Sequence, residues 1–394
     1  MLRPLLGVAV LHVLAVLAIL GYEVWTITSS SFKHAAAEED LGTTMRAAQF
    51  DKVGDASVIQ LVDIPRPKCC DATQVLVRVV SGGLNPVDFK QRRNPNPPQL
   101  RPLPSVSGFD FAGHVEQLGA EVRGFKSSDA VFGMLPLLGQ RWGAFQEYVV
   151  VDYKIIAHAP RSMPLHEAAG LPLVGLTVIQ ALAPVLDTWQ RLGTNSSGKA
   201  ILIHAGAGGV GSFAIQYCKH VLGMYVTTTA SSGKNELVLS LGADVVVDYR
   251  KTQFEEVVHS QDVVLDTVTH EYEARTFAKP TVLKQNGEGH YIHVLSTDWQ
   301  PNSRETSPLS IFAPLLKKWG YSLIASILKR GVYYHCNPVS PDGIGMQRIA
   351  AVVDQGKVRP VTDKTFPLRD TAAAHAYLEQ GRVSGKVLIE VTAA

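Results

Sequence analysis

The chain has 394 residues, with 37 Lys and Arg against 35 Asp and Glu, a formal net charge of +2. That balance carries no basic footprint for nucleic acid. The length sets about two or three domains, and 46% apolar residues with 33 glycines fit a glycine-rich α/β enzyme, not a disordered or fibrous chain.

Leu5 to Tyr22 is an apolar run broken by one polar side chain, His12, to which no role is assigned. Its length is just enough to cross a bilayer. Three readings stand: an uncleaved membrane anchor, a cleaved signal peptide with Ala35-Ala36-Ala37 near the cut, and a mitochondrial targeting segment. The run is long for a signal peptide and lacks an Arg-rich face, which favours the anchor. Arg3 places the N-terminus on the cytosolic side by the positive-inside tendency. Residues 27–44 read as a linker, and folded sequence begins at Met45.

From 45 to 170, strand patterns dominate. Val75 to Val80 is a β-branched run, and Ser107 to Val115 is strand-like with glycines that mark a bend or a close approach. Val131 to Gly133 and Phe145 to Val150 continue the series, and Asn94 to Pro98 is a proline-rich loop. Many short strands with Gly and Pro turns predict a small barrel-like β domain. Two spots here are candidates for chemistry. Asn85 and Asp88 lie three residues apart after a strand, where turn chemistry explains them equally well. Gly108-Phe109-Asp110 is the other.

Leu165 to Pro172 reads as a short helix with an end signal. Leu173 to Ala183 is an apolar helix holding Thr177, interrupted by Pro184. Then Ala200 to His204, an apolar run, leads into Gly206-Ala207-Gly208-Gly209-Val210-Gly211 and a helical pattern through Cys218. Strand, glycine turn and helix together make a dinucleotide site: the turn admits a pyrophosphate, and the helix N-terminus offers it N–H groups. The next strand, Tyr225 to Thr229, ends in Ala230-Ser231-Ser232-Gly233-Lys234. An NAD site ordinarily carries an acid there. Hydroxyls and a lysine suit a 2′-phosphate, so the cofactor tilts to NADP, although a single lysine is equally at home on the surface. Strands at Val245–Tyr249, Asp262–Asp266 and Tyr291–Leu295 complete a parallel, doubly wound sheet, with Ser231, Tyr249 and Leu295 aimed at one crevice. A helix from Asp370 to Leu378 and a strand from Gly385 to Val391 close the chain. The four cysteines, Cys69, Cys70, Cys218 and Cys336, form no disulfide framework, and Cys218 reads as a core residue.

Over about 45–394 the chain resembles the medium-chain dehydrogenase/reductase superfamily in its zinc-free quinone oxidoreductase branch. The carriers are Gly83-Leu84-Asn85-Pro86-Val87-Asp88, Gly143 to Tyr148, Ala169 to Thr177, the 206–211 glycines, Leu241 to Asp244 and Gly385-Lys386-Val387. The tail, Gly356 to Val361 and Thr365 to Leu368, is similar to the reticulon-4-interacting protein subfamily, a mitochondrial NADPH-dependent group. Residues 1–44 read as anchor or targeting segment and linker, and the resemblance implies a GroES-like catalytic domain over 45–170 completed by about 345–394. It puts a Rossmann NADP-binding domain at 171–344.

Where zinc-dependent relatives have a cysteine ligand this chain has Asn85, and Phe109-Asp110 replaces their His-Glu. A dismantled ligand set implies no metal. The expected chemistry is hydride transfer from NADPH to a quinone or α,β-unsaturated carbonyl. The alternative is a non-enzymatic NADPH-binding scaffold or regulator at a membrane.

The resemblance also assigns roles. Asn85 hydrogen-bonds the acceptor carbonyl and Asp88 braces the loop. Thr177 touches the nicotinamide, and Ala207, Gly209 and Val210 meet the phosphates. Ser231, Lys234 and Tyr249 take the 2′-phosphate end. Val294 and Leu295 flank the nicotinamide ribose, and Arg382 and Val383 close over the cofactor. A homodimer and a membrane-associated location are expected, mitochondrion or endoplasmic reticulum being undecided.

Overall fold

A computed structural model describes residues 43–93, 102–137, 141–268, 270–285, 287–294, 332–337 and 339–392. The apolar run at 5–22, most of the linker, the loop at Asn94 to Pro98 and Leu295 lie outside these residues.

The first block lays down β1 (Thr44–Phe50), β2 (Gln60–Pro65), β3 (Gln74–Leu84), β4 (Ser105–Val106), β5 (Asp110–Leu118), β6 (Ala130–Met134), β7 (Tyr148–Asp152) and β8 (Ile156–His158). Helix α1 (Pro86–Arg93) follows β3. The stretch read as strand-like from Ser107 becomes a strand only at Asp110, in β5; before it the chain turns at Gly108, whose φ of 98° only glycine adopts without strain. β1 pairs with β2 and β4 in a three-stranded sheet, and the rest form a largely antiparallel sheet. Alternating burial along β7 matches one face on a core and one toward solvent.

Helix α2 (Pro172–Arg191) crosses to the second sheet. The break expected at Pro184 does not occur: the helix continues to Arg191. Proline removes one backbone hydrogen bond, but Leu182, Val185 and Trp189 on both sides are buried, and core packing holds the helix through it. α2 is the one helix among the described residues long and apolar enough to cross a bilayer, and its apolar window is mostly buried inside the protein.

Six parallel strands follow: β9 (Ala200–Ile203), β10 (Tyr225–Ala230), β11 (Val245–Asp248), β12 (Val263–Asp266), β13 (His290–Val294) and β14 (Tyr333–Asn337). Their order is β11-β10-β9-β12-β13-β14, so the strand order reverses between β9 and β12. β9 and β12 are almost wholly buried, as a sheet covered on both faces demands. Helix α3 (Gly209–Gln216) leaves β9 at that switch point, and Cys218 just beyond it is buried. Cys69 and Cys70 bring their sulfurs together across their shared peptide bond, a local link the sequence reading left out.

After α4 (Gly343–Asp354), β15 (Thr362–Pro367), α5 (Thr371–Leu378) and β16 (Lys386–Glu390) return to the first sheet, in the order β15-β16-β3-β5-β6-β8. β15 was not expected from the sequence: four of its residues are exposed, so it lacks the apolar alternation that marks a strand.

Candidate active site

Three neighbouring strands of the first sheet deliver the polar centre. The register pairs Gly83 of β3 with Asp110 of β5, and Leu84 of β3 with Val387 of β16. Asn85, Asp110 and Lys386 therefore stand side by side at one rim. The glycine at 83 is required because the Ala169 carbonyl packs where a Cβ would sit, which draws the start of α2 against this rim.

The three side chains bond one another. Asn85 Nδ2 donates to Asp110 Oδ2 at 2.9 Å and to Gly83 O at 3.1 Å. Lys386 Nζ donates to Asn85 Oδ1, and lies 3.2 Å from Asp110 Oδ2. An ammonium only donates and a carboxylate only accepts, so these partners fix which end of the Asn85 amide is which. Asp110 Oδ1 accepts the Leu173 N–H at 2.8 Å, at the start of α2. Asp88 accepts from Asn85 N at 2.7 Å and Gly108 N at 3.1 Å, bracing the loop. All of this is buried: Asp110 is 0% and Lys386 4% exposed. Burial pushes the Asp110 carboxyl above its ordinary range, against the pull of the Lys386 ammonium and the hydrogen bond from Asn85.

Asn85 was expected to hydrogen-bond an acceptor carbonyl. Both of its Nδ2 hydrogens are committed, to Gly83 and Asp110, and the side chain is 1% exposed. In this arrangement it positions Lys386 and has no N–H to offer. Lys386, named in the sequence only within a motif, is the residue sequence reasoning missed. Its one local signal is a lysine opening an otherwise apolar strand.

The glycine turn lies directly alongside. Gly385 N donates to Ala207 O at 2.7 Å, and Gly208 and Gly385 form a parallel bridge. A Cβ at Gly209 would lie 3.2 Å from both Lys386 Cδ and Val174 Cγ1. A Cβ at Gly206 would collide with Thr228 Oγ1, and one at Gly211 with Ala205 O. At Gly208 the nearest atom would be Ala205 O, 3.3 Å away. The turn is thus tight at its ends and open at its middle, the shape of a pyrophosphate cradle, with Ala207 and Val210 partly buried beside it. A dinucleotide fits these residues.

The other expected cofactor residues fall as follows. Thr177 is buried on α2, one turn beyond Val174, its Oγ1 donating to Leu173 O at 2.7 Å. Ser231 follows β10 and Tyr249 follows β11, two adjacent parallel strands. Tyr249 is 48% exposed. Lys234 Nζ donates to Ser384 Oγ. Asp248, the acid nearest this end, is engaged by Ser232 Oγ and by the Arg250 N–H at 3.1 Å. Val294 is half-buried at the end of β13, Arg382 is exposed and Val383 packs against the first core.

Two further groups sit under the site. His204, at the end of β9, is flanked edge-on by Phe254 and Tyr272, with Nδ1 3.3 Å from Thr229 Oγ1. Burial, helped by Arg275, lowers its pKa to about 3. Burial likewise pushes the Cys218 thiol up to about 12, so it is inert.

The residues present do not fit a catalytic zinc. Asn85 and Phe109 occupy the positions where zinc-dependent relatives carry ligands, and the Lys386 ammonium already fills the cationic place beside Asp110. Among the described residues no three His, Cys, Asp or Glu side chains converge.

Comparison with known proteins agrees with this fold. A family model described as the alcohol dehydrogenase GroES-like domain matches residues 71–161, and one described as zinc-binding dehydrogenase matches residues 241–389. The chain is 34% identical to a 2-methylene-furan-3-one reductase of Solanum lycopersicum, over 92% of this chain and 84% of that protein. It is 31% identical to the NAD(P)H oxidoreductase RTN4IP1, mitochondrial, of Homo sapiens, over 93% of this chain and 94% of that protein. The quinone oxidoreductase of Coxiella burnetii superposes with a TM-score of 0.71 at 28% identity, over 89% of this chain and 100% of that one. A GroES-like domain joined to a Rossmann-type parallel sheet defines the class, an oxidoreductase. The chain belongs to the medium-chain dehydrogenase/reductase superfamily, in its zinc-free quinone oxidoreductase branch, and is RTN4IP1-like.

Proposed function

We propose that this chain is an NADPH-dependent, zinc-independent reductase of quinones or α,β-unsaturated carbonyls. The observation that carries this is the buried Asn85–Asp110–Lys386 cluster set against the glycine turn. On this reading the cluster offers a fixed positive charge, not a metal ligand set, to an acceptor beside the cofactor.

When bound, the reduced nicotinamide supplies the hydride. Lys386 has three ammonium hydrogens and gives two to Asn85 and Asp110. The third is the donor left to polarise an acceptor carbonyl, and the low-dielectric surroundings strengthen it. Asn85 and Asp110 hold that ammonium in place. Asp110 also fixes the start of α2, and so the placement of Thr177 beside the nicotinamide. Gly208 lets the pyrophosphate approach; Ala207, Gly209 and Val210 surround it. Ser231, Lys234 and Tyr249 receive the 2′-phosphate, Val294 flanks the ribose, and Arg382 and Val383 cover the cofactor.

The relatives' names support the acceptor class and a nicotinamide cofactor. Mitochondrial relatives, together with the apolar run at 5–22, support a mitochondrial, membrane-associated location. Carbonate extraction of membranes tests the anchor; release of the full-length chain overturns it.

The decisive test is oxidation of NADPH and of NADH against a panel of quinones and enals. Turnover with NADPH and at least one acceptor is expected. No turnover with any acceptor, while NADPH binds, overturns the proposal. Lys234→Ala and Tyr249→Phe should each reduce the NADPH preference; an unchanged preference removes them from the 2′-phosphate site.

A further inference from the structure

Lys234 leaves the end of β10 and reaches across to the other sheet's closing segment, where Nζ donates to Ser384 Oγ. Ser384 is held from both sides. Its N–H donates to Asp363 Oδ1 at 3.1 Å, and Asp363 Oδ2 accepts from Tyr377 OH at 2.5 Å. The next residue, Gly385, bonds Ala207 of the glycine turn. Ser384 therefore sits one residue from the pyrophosphate cradle and against the lysine expected at the 2′ end. A hydroxyl that accepts from an ammonium keeps its own hydrogen to donate. Ammonium and hydroxyl converge as two donors, one from each domain, which is a site for an anion.

We propose that Ser384 is a specificity-determining residue that shares the 2′-phosphate with Lys234. This rests on the NADPH reading above. The Ser384 backbone N–H is taken by Asp363, so only its Oγ can serve the phosphate. Two carboxylates lie on this side, Asp363 and Asp248, and both oxygens of each already accept hydrogen bonds, from Tyr377 and Ser384 and from Ser232 and Arg250. A ribose hydroxyl, as in NADH, leaves Lys234 paired with Ser384 and brings no charge to the site. Discrimination thus comes from a charge-assisted bond made only to the phosphate.

The test measures dissociation constants of the full chain for NADPH, NADH and adenosine 2′,5′-bisphosphate by titration calorimetry. Ser384→Ala should weaken NADPH and the bisphosphate by about tenfold relative to NADH, the scale of one hydrogen bond to a charged group. Ser384→Thr, which keeps the hydroxyl, should restore most of it. If the unaltered chain binds NADPH no tighter than NADH, the cofactor reading fails and this proposal with it. If the chain prefers NADPH, Lys234→Ala abolishes that preference and Ser384→Ala keeps it, the NADPH reading stands and the Ser384 role is overturned. Equal weakening of NADPH and NADH by Ser384→Ala also overturns it, because that is the mark of a strand-packing role.

Discussion

Asp110 and Lys386 form a buried ion pair, and such a pair is most sensitive to loss of one partner. Lys386→Met should leave the Asp110 carboxylate uncompensated and cost about 3–5 kcal/mol of stability. Asp110→Asn combined with Lys386→Met should cost much less, since neither charge then remains buried. Urea denaturation of the two single variants and the double variant checks this, and a double variant as unstable as the sum of the singles rules the pairing out. Lys386→Arg should retain more turnover than Lys386→Met, because it keeps a positive donor at the rim. Asn85 and Asp110 could be picked out as residues, but their partner could not. Lys386 is remote in the chain, and only the β16–β3 register sets it beside Asn85.

At the scale of elements, the glycine turn separates folding from binding. Gly206→Ala drives a methyl into Thr228 and should destabilise the fold by about 1–3 kcal/mol. Gly208→Ala meets only Ala205 O at 3.3 Å and should leave the melting temperature nearly unchanged while weakening NADPH binding at least about tenfold. Melting curves and cofactor titrations on the two variants test the contrast. Strand β9 adds a pH dependence. His204 is held neutral with a pKa of about 3, and His290 on β13 with one of about 4, both by burial, against 6.5 for an ordinary histidine. The unfolded chain takes up these protons below about pH 6.5 and the folded chain does not. The stability is therefore full above that pH and falls between about pH 6.5 and 4, by about 1.4 kcal/mol per pH unit for each histidine. His204→Phe should flatten the dependence of the urea midpoint on pH over this window; an unchanged slope rules out its part. The strand-turn-helix at 200–216 was legible because its signal is local: an apolar run, spaced glycines, then a helical period. β15 was not, because its exposed residues show no alternation.

At the scale of the molecule, the site exists only where two sheets meet. The order β11-β10-β9-β12-β13-β14 reverses at β9, which opens a crevice above the glycine turn. The chain then returns through β16 to pair with β3, and the segment Ser384 to Lys386 touches Lys234, Ala207 and Asn85 in turn. By itself the sequence determined the α/β class, the dinucleotide turn and the acid-free end of the strand after it, while the loss of zinc ligands at Asn85 and Phe109 is implied by the family resemblance. The first three are carried by residue types at short spacing, where backbone sterics and side-chain chemistry act directly. Tertiary structure alone decided that the Asn85 amide is saturated, that Lys386 supplies the charge at the rim, and that Ser384 faces Lys234. Those contacts join residues up to about 300 positions apart. Strand register and sheet order place them, and neither is encoded in local spacing.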